Sequence, residues 1–157
     1  MIDLERFTEA ARRALTFADY EARYVVTGAI EPGHLLFGAV QEAPEWIATL
    51  SRGRLTPHGL RLRLKQEFAG RLQPGPWESD ELKLSPEAQA VLAEAQEQAD
   101  TRGHAAVDLA HVLLALLAEK DSLPARLLSA AGITREALLA ALSGDVAGSP
   151  PTTTLER

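Results

Sequence analysis

The stretches "IEPGHLLFGAV", residues 30–40, and "VDLAHVLLALL", residues 107–117, are written to one plan: an acidic residue, a histidine three positions later, and an apolar run. Glu31 followed by Pro32, and Asp108 followed by Leu109, read as helix starts. A carboxylate at or near the N-cap is favoured by the helix dipole, and Pro fits the first helical position. His34 and His111 then fall in the first turn of their helices, where each imidazole is expected to pack under the helix start and hydrogen-bond locally.

The likeness extends well beyond these stretches. Phe7–Val40 lies on Leu84–Leu117 with a constant offset of 77 and no gap, matching Ala11 with Ala88, Leu15 with Leu92, Ala18 with Ala95 and Ala22 with Ala99. Those positions recur at four, three and four residues, the spacing of one buried helical stripe, and alanine at most of them implies close helix packing. Thr8 and Ser85 supply N-cap hydroxyls for the first helix of each copy, which runs to about Val25 and Arg102. After a one-residue shift Leu55-Thr56 meets Ile133-Thr134, and each Thr caps a fourth helix. "LRLRL" alternates like a strand, but it follows a helix cap. The expected fold is all-α, two pseudo-symmetric four-helix repeats packed as one unit: residues 1–70, a Pro/Gly-rich acidic linker 71–83, residues 84–143, and a flexible tail 144–157.

Composition narrows the function. The chain has 157 residues, no cysteine and a net charge of −6. The deficit lies in residues 71–157, with seven basic and thirteen acidic side chains against nine of each in residues 1–70. That balance argues against nucleic acid as a partner, because polyanion binding draws on clustered Lys and Arg. The charged first residues form neither a secretory signal nor a membrane span, so a cytoplasmic monomer without membrane contact is expected. No H-E-x-x-H or comparable cluster accompanies His34 and His111, so no metal, cofactor or catalytic residue is assigned. Acidic residues such as Glu94, Glu97 and Asp100 read as a solvated helix face. Arg52, Arg54, Arg61, Arg63 and Lys65 form a basic run around the buried stripe Leu60, Leu64 and Phe68, with Arg63 and Glu67 able to pair across one turn. Trp46 and Trp77 stand beside Pro-rich turns, Trp77 as a cover between the halves.

Together "RFTEAARRALTFADYEA", "IEPGHLLFGAV", "LSPEAQAVLAEAQEQADTRGHAAVDLAHVLLALL" and "ARLLSAAGITREAL" resemble the Clp N-terminal domain, the paired-repeat module of the Clp and Hsp100 unfoldases, over about residues 5–143. The ATPase loop G-x-x-x-x-G-K-[ST] of those unfoldases is absent, so the resemblance is to a stand-alone N domain or to the N-terminal fragment of a longer Clp ATPase. It implies a non-enzymatic module that binds unfolded or tagged polypeptides, Clp adaptors or Clp ATPase and protease components. The implied surfaces lie near the helix starts: Phe7, Thr8, Ile30 and Glu31, with Leu84, Ser85, Val107 and Asp108 as their repeat equivalents. An alternative partner is an acidic protein on the basic run 52–65. In family members that recognise phosphoarginine a glutamate stands just before the histidine; here those positions are Gly33 and Ala110, a departure from that pattern.

Overall fold

The computed structural model describes residues 2–25, 27–71 and 81–143. Trp77 and the expected tail lie outside these residues. Among the described residues eight α-helices follow one another: α1 Glu9–Val25, α2 Pro32–Glu42, α3 Pro44–Ser51, α4 Pro57–Phe68, α5 Pro86–Thr101, α6 Leu109–Ala118, α7 Leu123–Ala130 and α8 Arg135–Ser143. Short 3₁₀ turns occupy Leu4–Arg6 and Ala69–Arg71.

Helix starts fall where side chains can satisfy free first-turn amides. The Thr8 hydroxyl accepts from Ala11 N–H at 3.2 Å and Ser85 from Ala88 N–H at 3.0 Å. Thr56 accepts from Gly59 N–H and Thr134 from Ala137 N–H, both at 3.1 Å, so "LRLRL" is helical as its cap required. Proline stands in the first turn of α2, α3, α4, α5 and α7.

The two quoted stretches become the centre of the molecule. Every residue from Gly33 to Val40 in α2 and from Leu109 to Leu116 in α6 is buried. A helix that is apolar all round must be surrounded. Helices α1 and α4 cover α2, α5, α7 and α8 cover α6, and α2 and α6 touch each other. The small-residue stripes make this possible, since Ala18, Ala22, Ala88, Ala95 and Ala99 are fully buried. The crossing of α1 on α2 is close, and a Cβ on Gly38 would overlap the Ala14 carbonyl oxygen.

Two isolated parallel bridges join the repeats, Phe7 with Val107 and Ile30 with Leu84. Thr8 N–H donates to Val107 O at 2.9 Å and Val107 N–H to Arg6 O at 2.8 Å; Ile30 N–H donates to Lys83 O at 2.6 Å and Ser85 N–H to Ile30 O at 3.0 Å. Under the offset of 77, Phe7 corresponds to Leu84 and Ile30 to Val107. The lead-in of each first helix therefore pairs with the lead-in of the other repeat's second helix.

Ion pairs tie helices within the first repeat. Arg13 of α1 grips Glu42 at the end of α2 in a two-pronged contact of 2.6–3.1 Å. Arg61 of α4 does the same to Glu21 of α1 at 2.8–3.1 Å and stacks over Phe37 with 5.0 Å to the ring centroid. The Glu21 side chain is 3 % exposed, whereas Arg61 is 45 % exposed. Removing the cation leaves a buried carboxylate, so Arg61→Ala should cost about 2 kcal/mol in urea unfolding, below the full buried-pair figure because Arg61 is partly solvated. The double variant Glu21→Leu, Arg61→Ala should recover at least half of that loss.

Candidate functional site

The eight residues expected to line apolar grooves are brought together as four-residue sets, each drawn from both repeats. Three of their four apolar members do not face solvent: Phe7 is 2 % exposed and Ile30 and Val107 are 0 %. Backbone pairing between the repeats covers them, so they build the seams and leave no open groove of their own. Leu84, Thr8 and Glu31 are half-buried, while Ser85 and Asp108 are buried. At one seam the Thr8 hydroxyl donates to Asp108 Oδ1 at 2.9 Å while Asp108 also accepts from Leu109 N–H at 2.8 Å.

The histidines cap their helices from inside. Glu31 N–H donates to His34 Nδ1 and Asp108 N–H to His111 Nδ1, both at 2.9 Å, so each imidazole takes the place that Glu or Gln holds in an ordinary capping box. His34 stacks on Phe68 with ring centroids 4.8 Å apart. His111 instead meets His104, with Nε2 and Nδ1 at 3.0 Å. Because Nδ1 of neutral His111 accepts, its proton sits on Nε2, which donates to His104 Nδ1. A metal at Nε2 would need that proton moved to Nδ1, at the expense of the cap. Burial, followed by the neighbouring His104, lowers the His111 pKa to about 4; Asp108 opposes the shift, and Arg102 and Arg6 add to it. Among the described residues no group of three or more His, Cys, Asp or Glu could hold a metal ion.

Open apolar surface occurs beside one seam. A groove of about 330 Å³ runs between the start of α2, the side of α5 and the end of α6. Its floor is Val91, Ala115 and Leu116, and Glu87, Glu94 and Glu119 stand around it with Pro32 at one end. Pro32 follows Glu31 and Glu87 follows Pro86, so the groove abuts the Ile30–Leu84 bridge. A second hollow, about 500 Å³, lies between α6, α7 and the start of α8, lined by Leu114, Leu117, Ile133, Lys120 and Arg135 among others.

At Gly33, a Cβ would stand 2.9 Å from Leu64 Cδ2, and Ala110 is fully buried. A longer side chain at Gly33 would have to displace the end of Leu64, and Ala110 has no exposed surface to extend from.

The basic run does not form one strip. Residues four apart share a helix face and residues two apart do not, so Arg61 and Lys65 turn toward α1 while Arg63 turns away. Arg61 is held by Glu21, Lys65 Nζ lies 5.8 Å from the Tyr24 ring centroid, and Arg63 lies 3.6 Å from Glu67. Arg54 and Arg63 flank a shallow hollow shared with Leu127 and Ala130 of α7. Arg52 closes α3 in the left-handed region at φ 54. Sequence reasoning passed over Tyr20 and Tyr24, which are 63 % and 71 % exposed on α1.

The described residues form an all-α, doubly repeated body with capped central helices and a groove at the repeat junction. Residues 83–154 match the model of the Clp repeat (R) N-terminal domain. The chain is homologous to the N-terminal domains of the Clp and Hsp100 proteins and belongs with them. It is 30 % identical over 130 residues to chaperone protein ClpB of Oceanobacillus iheyensis, covering 82 % of this chain and 16 % of that protein. To the negative regulator of genetic competence ClpC/MecB of Bacillus subtilis it is 30 % identical over 149 residues, covering 92 % and 18 %. The chain thus spans less than a fifth of these relatives. The fold agrees with the N-terminal domain of ClpD from Arabidopsis thaliana, TM-score 0.69 at 24 % identity over 90 % of this chain and 97 % of that one. It also agrees with the Hsp104 N-terminal domain of Candida albicans, TM-score 0.66 at 21 % identity over 89 % and 93 %.

Proposed function

We propose that the chain is a non-enzymatic recognition module of the Clp system that binds exposed segments of unfolded or tagged polypeptides, or of adaptor proteins. The observation that carries this reading is the groove beside the Ile30–Leu84 seam, whose apolar floor of Val91 and Leu116 lies among Glu87, Glu94 and Glu119. An apolar cleft of this size accepts one or two aliphatic side chains, and the carboxylates favour segments in which these are flanked by Lys or Arg. The expected sites at Thr8, Glu31, Ser85 and Asp108 take part through their position at the seams, with the client contacting the groove next to them. Affinity per segment is modest, since so small a contact buries far less than a standard interface. Since Gly33 and Ala110 carry no carboxylate, the proposed recognition does not use a glutamate before the histidine.

The test is a titration of a labelled, permanently unfolded protein by fluorescence anisotropy at low and moderate salt. Saturable binding should weaken about tenfold in Ala118→Arg, which fills the groove from an exposed position, and in Glu87→Lys. Equal binding by the wild type and both variants would remove the groove as the client site. Phe7 is unsuited to this purpose, because a polar residue there would open the seam and confound binding with folding.

A further inference from the structure

In the first repeat, α1 and α4 present a surface that shares no lining residue with the groove. Tyr20 and Tyr24, one helical turn apart, leave most of their rings in solvent and are the most exposed large side chains with apolar bodies among the described residues. With Glu21 and Arg61 they line an open hollow of about 450 Å³. Glu21 is inside and its charge is taken up by the Nε and Nη2 of Arg61, which leaves Nη1 of Arg61 without a partner among the described residues. Lys65 stands over the Tyr24 ring and has no carboxylate partner there either. The surface thus combines two rigid aromatic plates with two outward donors, both cationic.

We infer that this α1–α4 face, built from Tyr20, Tyr24, Arg61 and Lys65, docks an acidic segment of a partner protein. Exposed tyrosines anchor interfaces because they offer large, rigid contact area and lose little conformational freedom. Their faces pack against proline or aliphatic side chains, and carboxylates of the same segment reach the Lys65 ammonium and Arg61 Nη1. Charge complementarity selects the occupant: among the described residues the one carboxylate lining the hollow, Glu21, and the Arg61 guanidinium offset each other, so the net charge added beside the rings is the Lys65 ammonium, and Arg61 Nη1 remains a donor. The surface is independent of the groove at the Ile30–Leu84 seam.

The probe is a fluorescein-labelled twelve-residue peptide, three repeats of Glu-Pro-Glu-Leu, titrated with the whole chain. Saturable binding is expected, weakened at least about tenfold in Tyr20→Ser, Tyr24→Ser and in Lys65→Glu, and unchanged in the groove variant Ala118→Arg. The tyrosines are exposed, so their variant should melt with the wild type, which a thermal scan checks. Three results would each overturn the inference. These are equal binding by wild type and tyrosine variant, tighter binding of a fifteen-residue oligothymidylate than of the peptide, or wild-type self-association in sedimentation that the tyrosine variant abolishes.

Discussion

Gly38→Ala is expected to destabilise the domain by about 3 kcal/mol and lower its melting temperature by roughly 10 °C, and Gly38→Val to prevent folding. The reason lies in the crossing of α1 on α2. The added Cβ would overlap the Ala14 carbonyl oxygen and also come within 3.3 Å of Ala18 N. Both obstacles are backbone atoms of a helix, which cannot turn aside as a side chain does, so relief requires the two helices to separate. Separation would uncover Ala18 and Ala22 and strain the Arg13–Glu42 contact. Gly70→Ala is the control, because among the described residues nothing lies within 4 Å of its Cβ position. The two variants should differ clearly in circular-dichroism melts; matching melts would mean that the crossing is looser than described. The second repeat has Ala115 at the equivalent of Gly38, so this steric demand belongs to the first repeat alone.

The second large effect is on pH dependence. His111 has to be neutral to accept from Asp108 N–H, and its pKa is lowered from 6.5 to about 4 by burial first and by His104 next. A group whose folded pKa lies below its unfolded value contributes stability that is complete above the unfolded pKa and is lost as pH falls through the folded one. The window is therefore pH 6.5 down to 4, and the full contribution is on the order of 3 kcal/mol. His111→Gln, which retains an amide acceptor, should be less stable at pH 7.5 but lose less between pH 7 and 4. Parallel stability–pH curves for wild type and variant, from urea unfolding, would show that His111 does not carry the acid response. The other groups facing His111 are His104, Asp108, Arg102 and Arg6, so the curves should be compared as differences, which cancel background carboxylates.

Much of the architecture was written in one-dimensional patterns. The Ala11, Leu15, Ala18, Ala22 stripe, the hydroxyl caps and the offset of 77 each encode local geometry that side-chain spacing alone decides, and the helices formed accordingly. The role of Phe7, Ile30 and Val107 was not encoded this way. A single apolar residue ahead of a cap has no period, and whether it faces solvent depends on a backbone partner about a hundred residues or fifty residues away. The basic run failed for the opposite reason: adjacency in sequence suggested one strip, but 100° per residue sends Arg63 away from Arg61 and Lys65. The tyrosines were legible as part of an amphipathic helix, although only the placement of α4 shows which cations stand next to them. His104 had no counterpart in the other repeat, so the repeat pattern that singled out His111 was silent about its neighbour.

The crossed pairing of the lead-ins also has a reading in terms of symmetry. One repeat by itself possesses both halves of a seam, the segment before its first helix and the segment before its second, but cannot join them to each other in the way seen here. Two identical copies facing each other across a two-fold axis satisfy both at once, as any isologous dimer does. Joining two copies in one chain makes that mutual pairing intramolecular. The two halves are nevertheless not interchangeable, since a glycine crossing stands in one and a histidine pair in the other.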